Sequence, residues 1–465
     1  MSENSTNELK ERLFTKKKNA CLTLSDEEIS DAYDFCEDYK RFLNVAKTER
    51  EAVKEAVRLA NANGFVEFDF DKKLKPGDKV YKVNRDKAIL LAVIGNDDIS
   101  EGVRISAAHI DSPRVDLKQN PVYEDSELAL FKTHYYGGIK KYQWTTIPLS
   151  LHGVVYLENG ERVEINIGEQ ESDPVFCITD LLPHLATSQM KRPSSEVVKG
   201  EELNILIGSR PFKDDKESEK VKLNILKLLN EKYGILEDDF VSAELEAVPA
   251  FKAKDLGFDR SMVGAYGQDD RVCAYTALKA ILDTTAPKKT AVTVLTDKEE
   301  TGSDGNTGLN SAYLTYFLSD LAENMGAIPR HVISASECLS ADVNAAVDPT
   351  FPDVTEARNA SKINYGVVVT KFTGARGKSG TSDASAEYVY RVRNLLDKNG
   401  VVWQTGELGK VDIGGGGTVA QYIANLDIDV IDVGVPILSM HAPFEVASKV
   451  DTYMAYRAFK VFFAD

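Results

Sequence analysis

A chain of 465 residues, 43% of them hydrophobic, exceeds one ordinary domain and can bury a large core, so two structural units are expected. The formal net charge of −17 argues against nucleic acid and anionic membranes, which require a basic face, and leaves peptides or small molecules as partners. Cys21, Cys36, Cys177, Cys273 and Cys338 lie far apart without a CxxC pair, which excludes a disulfide framework or zinc ribbon and points to a reducing cytoplasm. No apolar segment has the length of a signal peptide's core at the N-terminus or of a membrane span anywhere, so neither export nor membrane crossing is expected.

In chain order, two helices come first. Ser25 with Glu28, and Thr48 with Glu51, have the spacing in which a hydroxyl and a glutamate each satisfy a free backbone N–H at a helix start, and Gly64 suits a left-handed stop. "KVYKVNRDKAILLAVIG" then reads as a hairpin and "VRISAAHID" as a buried strand with polar residues at its end. From Lys118 to Pro249 short alternating segments such as "LHGVVYLENG" and "ERVEINIG" are separated by turn residues, and the charged run "PFKDDKESEKVKLNILKLLNEKYGI" leads into a helix. This reads as an inserted, mainly β domain over 118–249, dividing a catalytic domain into 1–117 and 250–465. Beyond Phe251 helical and strand patterns alternate, from "RVCAYTALKAIL" and "TAVTVLT" to "VIDVGVP" and "TYMAYRAFKVFF", which predicts an α/β fold with a doubly wound sheet and helices on both faces.

Active sites of such sheets gather at the carboxyl ends of strands. Here those ends carry His109 and Asp111, Asp269 and Asp270, Glu299 and Glu300, Asp342, and His441. Taken singly, each has a plain structural reading: a hydrogen-bonded histidine, a solvated acidic pair, an ion-paired turn in "DDR", a helix N-cap in "SAD". Their joint placement asks for a common cause. Imidazoles with carboxylates suit zinc, manganese or cobalt, and so many acids can converge only if cations neutralise them; two divalent ions bridged by one aspartate are the simplest arrangement.

"DKEETG", Asp297 to Gly302, follows the apolar run "TAVTVLT" and sets two glutamates side by side. Where a strand breaks into a turn, adjacent carboxylates can approach one small volume from two directions. One can then bind a cation while its neighbour accepts a proton from a water that the cation acidifies.

The segments "AAHIDSPRVDLK", "DDRVCAYTALKAI", "DKEETGS", "SECLSADVNAAVDP" and "DVGVPILSMHAPFEVAS" resemble the metal-site motifs of the aspartyl aminopeptidase family, over nearly the whole chain and in the same order. The resemblance implies a metalloexopeptidase-like mixed sheet, two zinc ions (manganese or cobalt being alternatives), and a homo-oligomeric dodecamer built from dimers. Carried over residue by residue, it implies that His109, Asp269, Glu300, Asp342 and His441 are metal ligands, that Asp269 bridges and is followed by a cis peptide, and that Glu299 is the general base. Asp111 falls where a carboxylate orients the histidine ring. In the insertion, "PHLA" places His184 where the family sends a histidine into a neighbouring subunit's site, although Ser188 stands where another histidine is often found. The insertion would then serve oligomerisation and close the pocket as a lid.

The expected activity is hydrolysis of N-terminal residues from peptides, with an acidic preference implied by the family name. A carboxypeptidase or N-acyl deacylase could use the same centre but requires a basic group for a free carboxylate, and no convincing arginine presents itself beside the candidate ligands. A binding or assembly protein with a vestigial site is the alternative from another class. Lys378 in "ARGKSG" could meet an acidic substrate side chain or belong to a solvated loop. Gly414 to Gly417 could let backbone approach a peptide or form a turn; no P-loop lysine follows.

Overall fold

The computed structural model describes residues 3–213 and 218–465; residues 214–217, within the charged run read from the sequence, lie outside it. A nine-stranded mixed sheet forms the main layer. Its strands lie in the order Val66–Glu67, Lys79–Asn84, Ala88–Val93, Ala291–Thr296, Arg104–His109, Glu337–Ser340, Asp429–Gly434, Val367–Thr370 and Trp403–Thr405. Arg104–His109 pairs in parallel with Ala291–Thr296 on one side and Glu337–Ser340 on the other.

Alternation of side chains along a strand supplies both faces of this sheet with apolar surface. Ile89, Leu91 and Val93 join the core beneath helices Asp26–Val45, Gln268–Leu282 and Lys449–Ala464. Leu90, Ala92 and Ile94 join the opposite core beneath Tyr313–Asn324 and Pro329–Ser334. Each such buried leucine or isoleucine contributes about 1.5–3 kcal/mol. The helices therefore cover both faces, as the alternating pattern predicts.

The first of the two predicted helix starts has its full reciprocal cap: Glu28 N–H donates to Ser25 Oγ and Ser25 N–H to the Glu28 carboxylate. The second is only half formed. Thr48 Oγ1 accepts from Glu51 N–H, but the Glu51 carboxylate accepts from Lys47 N–H and pairs with His152, because the second sheet lies against it. An additional helix, Glu3–Leu13, exposed along residues 6–13, opens the described chain.

A second, seven-stranded sheet is built between Arg114 and Pro249, with every neighbouring pair antiparallel and an apolar core of its own around Trp144, Leu149 and Phe240. A third, five-stranded sheet gathers Lys254–Leu256, Met262–Ala265, Glu445–Ser448, Pro436–Leu438 and Asn344–Ala345. The sequence reading takes "VIDVGVP" as one strand. In fact Asp429–Gly434 lies in the nine-stranded sheet and Pro436–Leu438 in the five-stranded one, so the chain crosses between sheets within that segment.

Buried charge joins the second sheet to the helix Glu49–Ala62. His152 Nδ1 is 2.8 Å from Glu51, its Nε2 is 3.2 Å from Glu169, and Lys47 Nζ is 2.6 Å from Glu169. Burial opposes charging of His152, but hydrogen bonds and charge from Glu169 and Glu51 outweigh it and raise its pKa. A histidine whose folded pKa exceeds its unfolded value contributes stability that is complete below about pH 6.5 and is lost as pH rises through the folded pKa. His152→Gln is therefore expected to destabilise the protein by about 1–3 kcal/mol at pH 6 and by less at pH 9 in urea titrations. Equal losses at both pH values would contradict the charged pairing.

Candidate metal centre

Three parallel strands of the main sheet end on the same edge, with Thr296 level with His109 and Ser340 level with Ala107. His109 closes its strand, the turn Glu299–Thr301 follows the second, and Asp342 lies two residues beyond the third. The five-stranded sheet supplies the other side. Asp269 stands at the start of helix Gln268–Leu282, after strand Met262–Ala265, and His441 lies between Pro436–Leu438 and Glu445–Ser448. The Asp269–Asp270 peptide is cis, as the resemblance implies.

All five candidate ligands come together. Asp269 spans the centre, one carboxylate oxygen 3.1 Å from His109 Nε2 and the other 3.1 Å from His441 Nε2. Asp342 lies 4.0 Å from His109 Nε2, and Glu300 lies 3.5 Å from His441 Nε2. Glu299 faces the other way, 3.8 Å from His109 Nε2. The turn carrying the two glutamates thus directs adjacent carboxylates to opposite histidines. His109, Asp269 and Glu300 offer donor atoms within 4.8 Å of one another, as do His109, Asp270 and Asp342.

The outer nitrogens of both rings meet acceptors. His109 Nδ1 is 3.0 Å from the Asp111 carbonyl and 3.2 Å from its carboxylate; His441 Nδ1 is 2.8 Å from the Gly138 carbonyl. A proton on each Nδ1 satisfies these contacts and leaves each Nε2 lone pair for a cation. Asp111 also accepts the backbone N–H groups of Glu299 and Glu300, both at 3.2 Å, and the Tyr136 hydroxyl at 2.7 Å.

Electrostatics fit a cation. Burial, together with the Asp111 and Asp269 charges, pushes Glu299 up to about 7 despite the two histidines. Burial and Asp269 push Glu300 well above the carboxylate range, and burial with Asp270 and Glu299 does the same to Asp342. Glu300 Oε1 and both Asp270 carboxylate oxygens are buried without a hydrogen-bond partner. Two imidazoles and several under-satisfied carboxylates form a donor set suited to zinc.

Sequence reasoning missed three contributors. Glu445, buried, accepts from Asp269 N–H at 3.1 Å and His441 N–H at 2.8 Å, so one carboxylate braces two candidate ligands. Its position four residues after His441 in "HAPFE" was the available signal. Tyr136 and Gly138, in "YYGG", reach the centre only through tertiary contact. Asp270, the second acid of "DDR", lies with His109 and Asp342, whereas Asp269 spans both histidines.

His184 is not brought to this centre. It is exposed, and no hydrogen bond or ion pair among the described residues joins it to the candidate ligands. Lys378 is 2.7 Å from Asp383, a carboxylate it shares with Lys371, and lies over the Phe372 ring. Gly414 and Gly415 are required by close packing: the carbonyls of Leu408 and Gly374 stand 1.8 and 1.9 Å from where their Cβ atoms would be.

Fold and site together define a metal-dependent hydrolase. Residues 42–463 match the aminopeptidase I zinc metalloprotease family, M18. The chain is 49% identical to a probable M18 family aminopeptidase 1 of Clostridium acetobutylicum over 97% of its own length and 98% of that protein's. The crystal structure of an M18 aminopeptidase from Thermotoga maritima superposes with a TM-score of 0.93 at 47% identity, covering 97% of this chain and 99% of that one. A likeness in fold alone, at 21% identity and a TM-score of 0.75 over 92% of this chain and 96% of that one, extends to the S. cerevisiae mApe1 dodecamer. The chain belongs to the M18 family of zinc metalloproteases and is an aminopeptidase, as the sequence motifs predict.

Proposed function

We propose that this aminopeptidase works with two divalent ions, zinc foremost, held by His109, Asp269, Glu300, Asp342 and His441, with Glu299 as general base. The observation that carries this reading is Asp269, whose two oxygens each lie 3.1 Å from a different histidine Nε2. When bound, such ions polarise the scissile carbonyl and make a water acidic enough to attack it near neutral pH. Glu299 accepts the proton of that water and returns it to the leaving amine. Asp111 holds the turn of Glu299 and the ring of His109 together, so base and ligand keep their separation. Among the described residues no lysine or arginine pairs with the five candidate ligands, which favours a free α-amino group over a free carboxylate as the substrate's anchor.

The oligomer is proposed to be a dodecamer built from dimers, with the segment 118–249 serving as oligomerisation and lid domain. Leu181, Leu182, Leu185 and Met190 are exposed around His184, an apolar loop suited to a neighbouring subunit, through which His184 would reach that subunit's pocket. Five free cysteines favour the cytoplasm. Purified protein is expected to carry two zinc equivalents, to cleave aminoacyl chromogenic substrates and to leave their N-acetylated forms intact. Cleavage of the acetylated forms at a similar rate would overturn the aminopeptidase assignment.

A further inference from the structure

Within three residues at the end of strand Leu128–Tyr136, the second sheet sends two contacts into the metal centre. The Tyr136 hydroxyl donates to one Asp111 oxygen at 2.7 Å, and the other Asp111 oxygen is 3.2 Å from His109 Nδ1. The Gly138 carbonyl accepts from His441 Nδ1 at 2.8 Å. Both histidines that flank Asp269 are therefore oriented from one short segment. Between these contacts Gly137 has φ +72°, and a Cβ there would sit 3.3 Å from a Glu300 carboxylate oxygen. A larger residue would be strained and would crowd a candidate ligand.

The tyrosine is itself fixed from outside. Its ring lies 4.0 Å from the Arg114 guanidinium, which is 3.2 Å from Glu49 and 3.1 Å from Glu246. We infer that Tyr136–Gly138 is a positioning segment through which the second sheet sets metal affinity, with Tyr136 acting on His109 by way of Asp111. This rests on the ligand set proposed above. Hydrogen bonds on the outer nitrogen fix a ligating imidazole's tautomer and direction. Without the hydroxyl, Asp111 loses the one side-chain donor other than His109 that holds its carboxylate; only the Glu299 and Glu300 N–H groups, each at 3.2 Å, then steady it against the ring, and its grip on His109 loosens.

The test compares zinc affinities of metal-stripped wild type, Tyr136→Phe, Asp111→Asn and the double variant, by competition with a chromogenic chelator. Tyr136→Phe keeps the ring over Arg114, and circular dichroism checks folding. One zinc is expected to bind about tenfold or more weakly in each single variant. The double variant should be no weaker than the worse single, because both residues act through one chain of contacts. Tyr135→Phe, a neighbour exposed on the same strand, should bind like wild type. Affinities of Tyr136→Phe within twofold of wild type, or additive losses in the double variant, overturn the positioning role while leaving the ligand set standing. A wild type that binds no zinc, or a His109→Ala variant that still binds two, overturns the ligand set and the inference with it.

Discussion

Glu299→Gln is expected to lower kcat by about 10²- to 10⁴-fold with two zinc ions still bound and KM little changed. The substitution keeps size and hydrogen bonding but cannot accept a proton. Glu299 faces His109 Nε2 from 3.8 Å, whereas Glu300, the next residue, faces His441. The variant therefore separates proton transfer from metal holding, and Glu300→Gln is expected to lose metal as well as rate. Without cations, burial and neighbouring carboxylates put Glu299 at about 7. A base must be unprotonated, so activity rises with pH through its pKa, and bound dications pull that limb below pH 7. Elemental analysis beside a pH–rate profile checks both halves; full turnover by Glu299→Gln would remove the proposed base.

Asp269→Asn is expected to leave fewer than two zinc ions per chain and to reduce activity by about 10³-fold or more, since one bridging charge serves both sites. Chelation of wild type should mimic its effect on stability. An ion present at about 100 times its Kd stabilises the folded chain by about 2.7 kcal/mol, so stripping the centre should lower the unfolding temperature measurably in calorimetry. The variant should show little further response to the chelator. Two tightly held ions in Asp269→Asn would transfer the bridge to Asp270, which already lies with His109 and Asp342.

The parts of this fold that could be read from sequence are those encoded locally. Strand Arg104–His109, with the small and apolar residues of "ISAA" before its closing candidate histidine, reads locally as a buried strand, and helix Asp26–Val45 announces itself by its cap. Strands of two or three residues, such as Asn344–Ala345 and Pro436–Leu438, are too short for a period to show, so the five-stranded sheet was invisible although it carries Asp269 and His441 to the centre. The cluster of acids and histidines is legible because such residues at successive strand ends need a shared cause, whereas its division into candidate ligands and base is what the family resemblance implies. Glu445, Tyr136 and Gly138 were not, because their part is played by contacts across the fold, 303 positions apart in the case of Gly138 and His441. Thr48 shows the opposite failure: its local motif is present, but Glu51 is drawn away by His152, a tertiary partner that no window around residue 48 contains.

His109, Glu300 and Asp342 issue from the nine-stranded sheet, while Asp269 and His441 issue from the five-stranded one. Cations shared between them would act as rivets through two plates. Any slip of one plate along the other shears the centre, so catalytic competence reports directly on how those layers are seated.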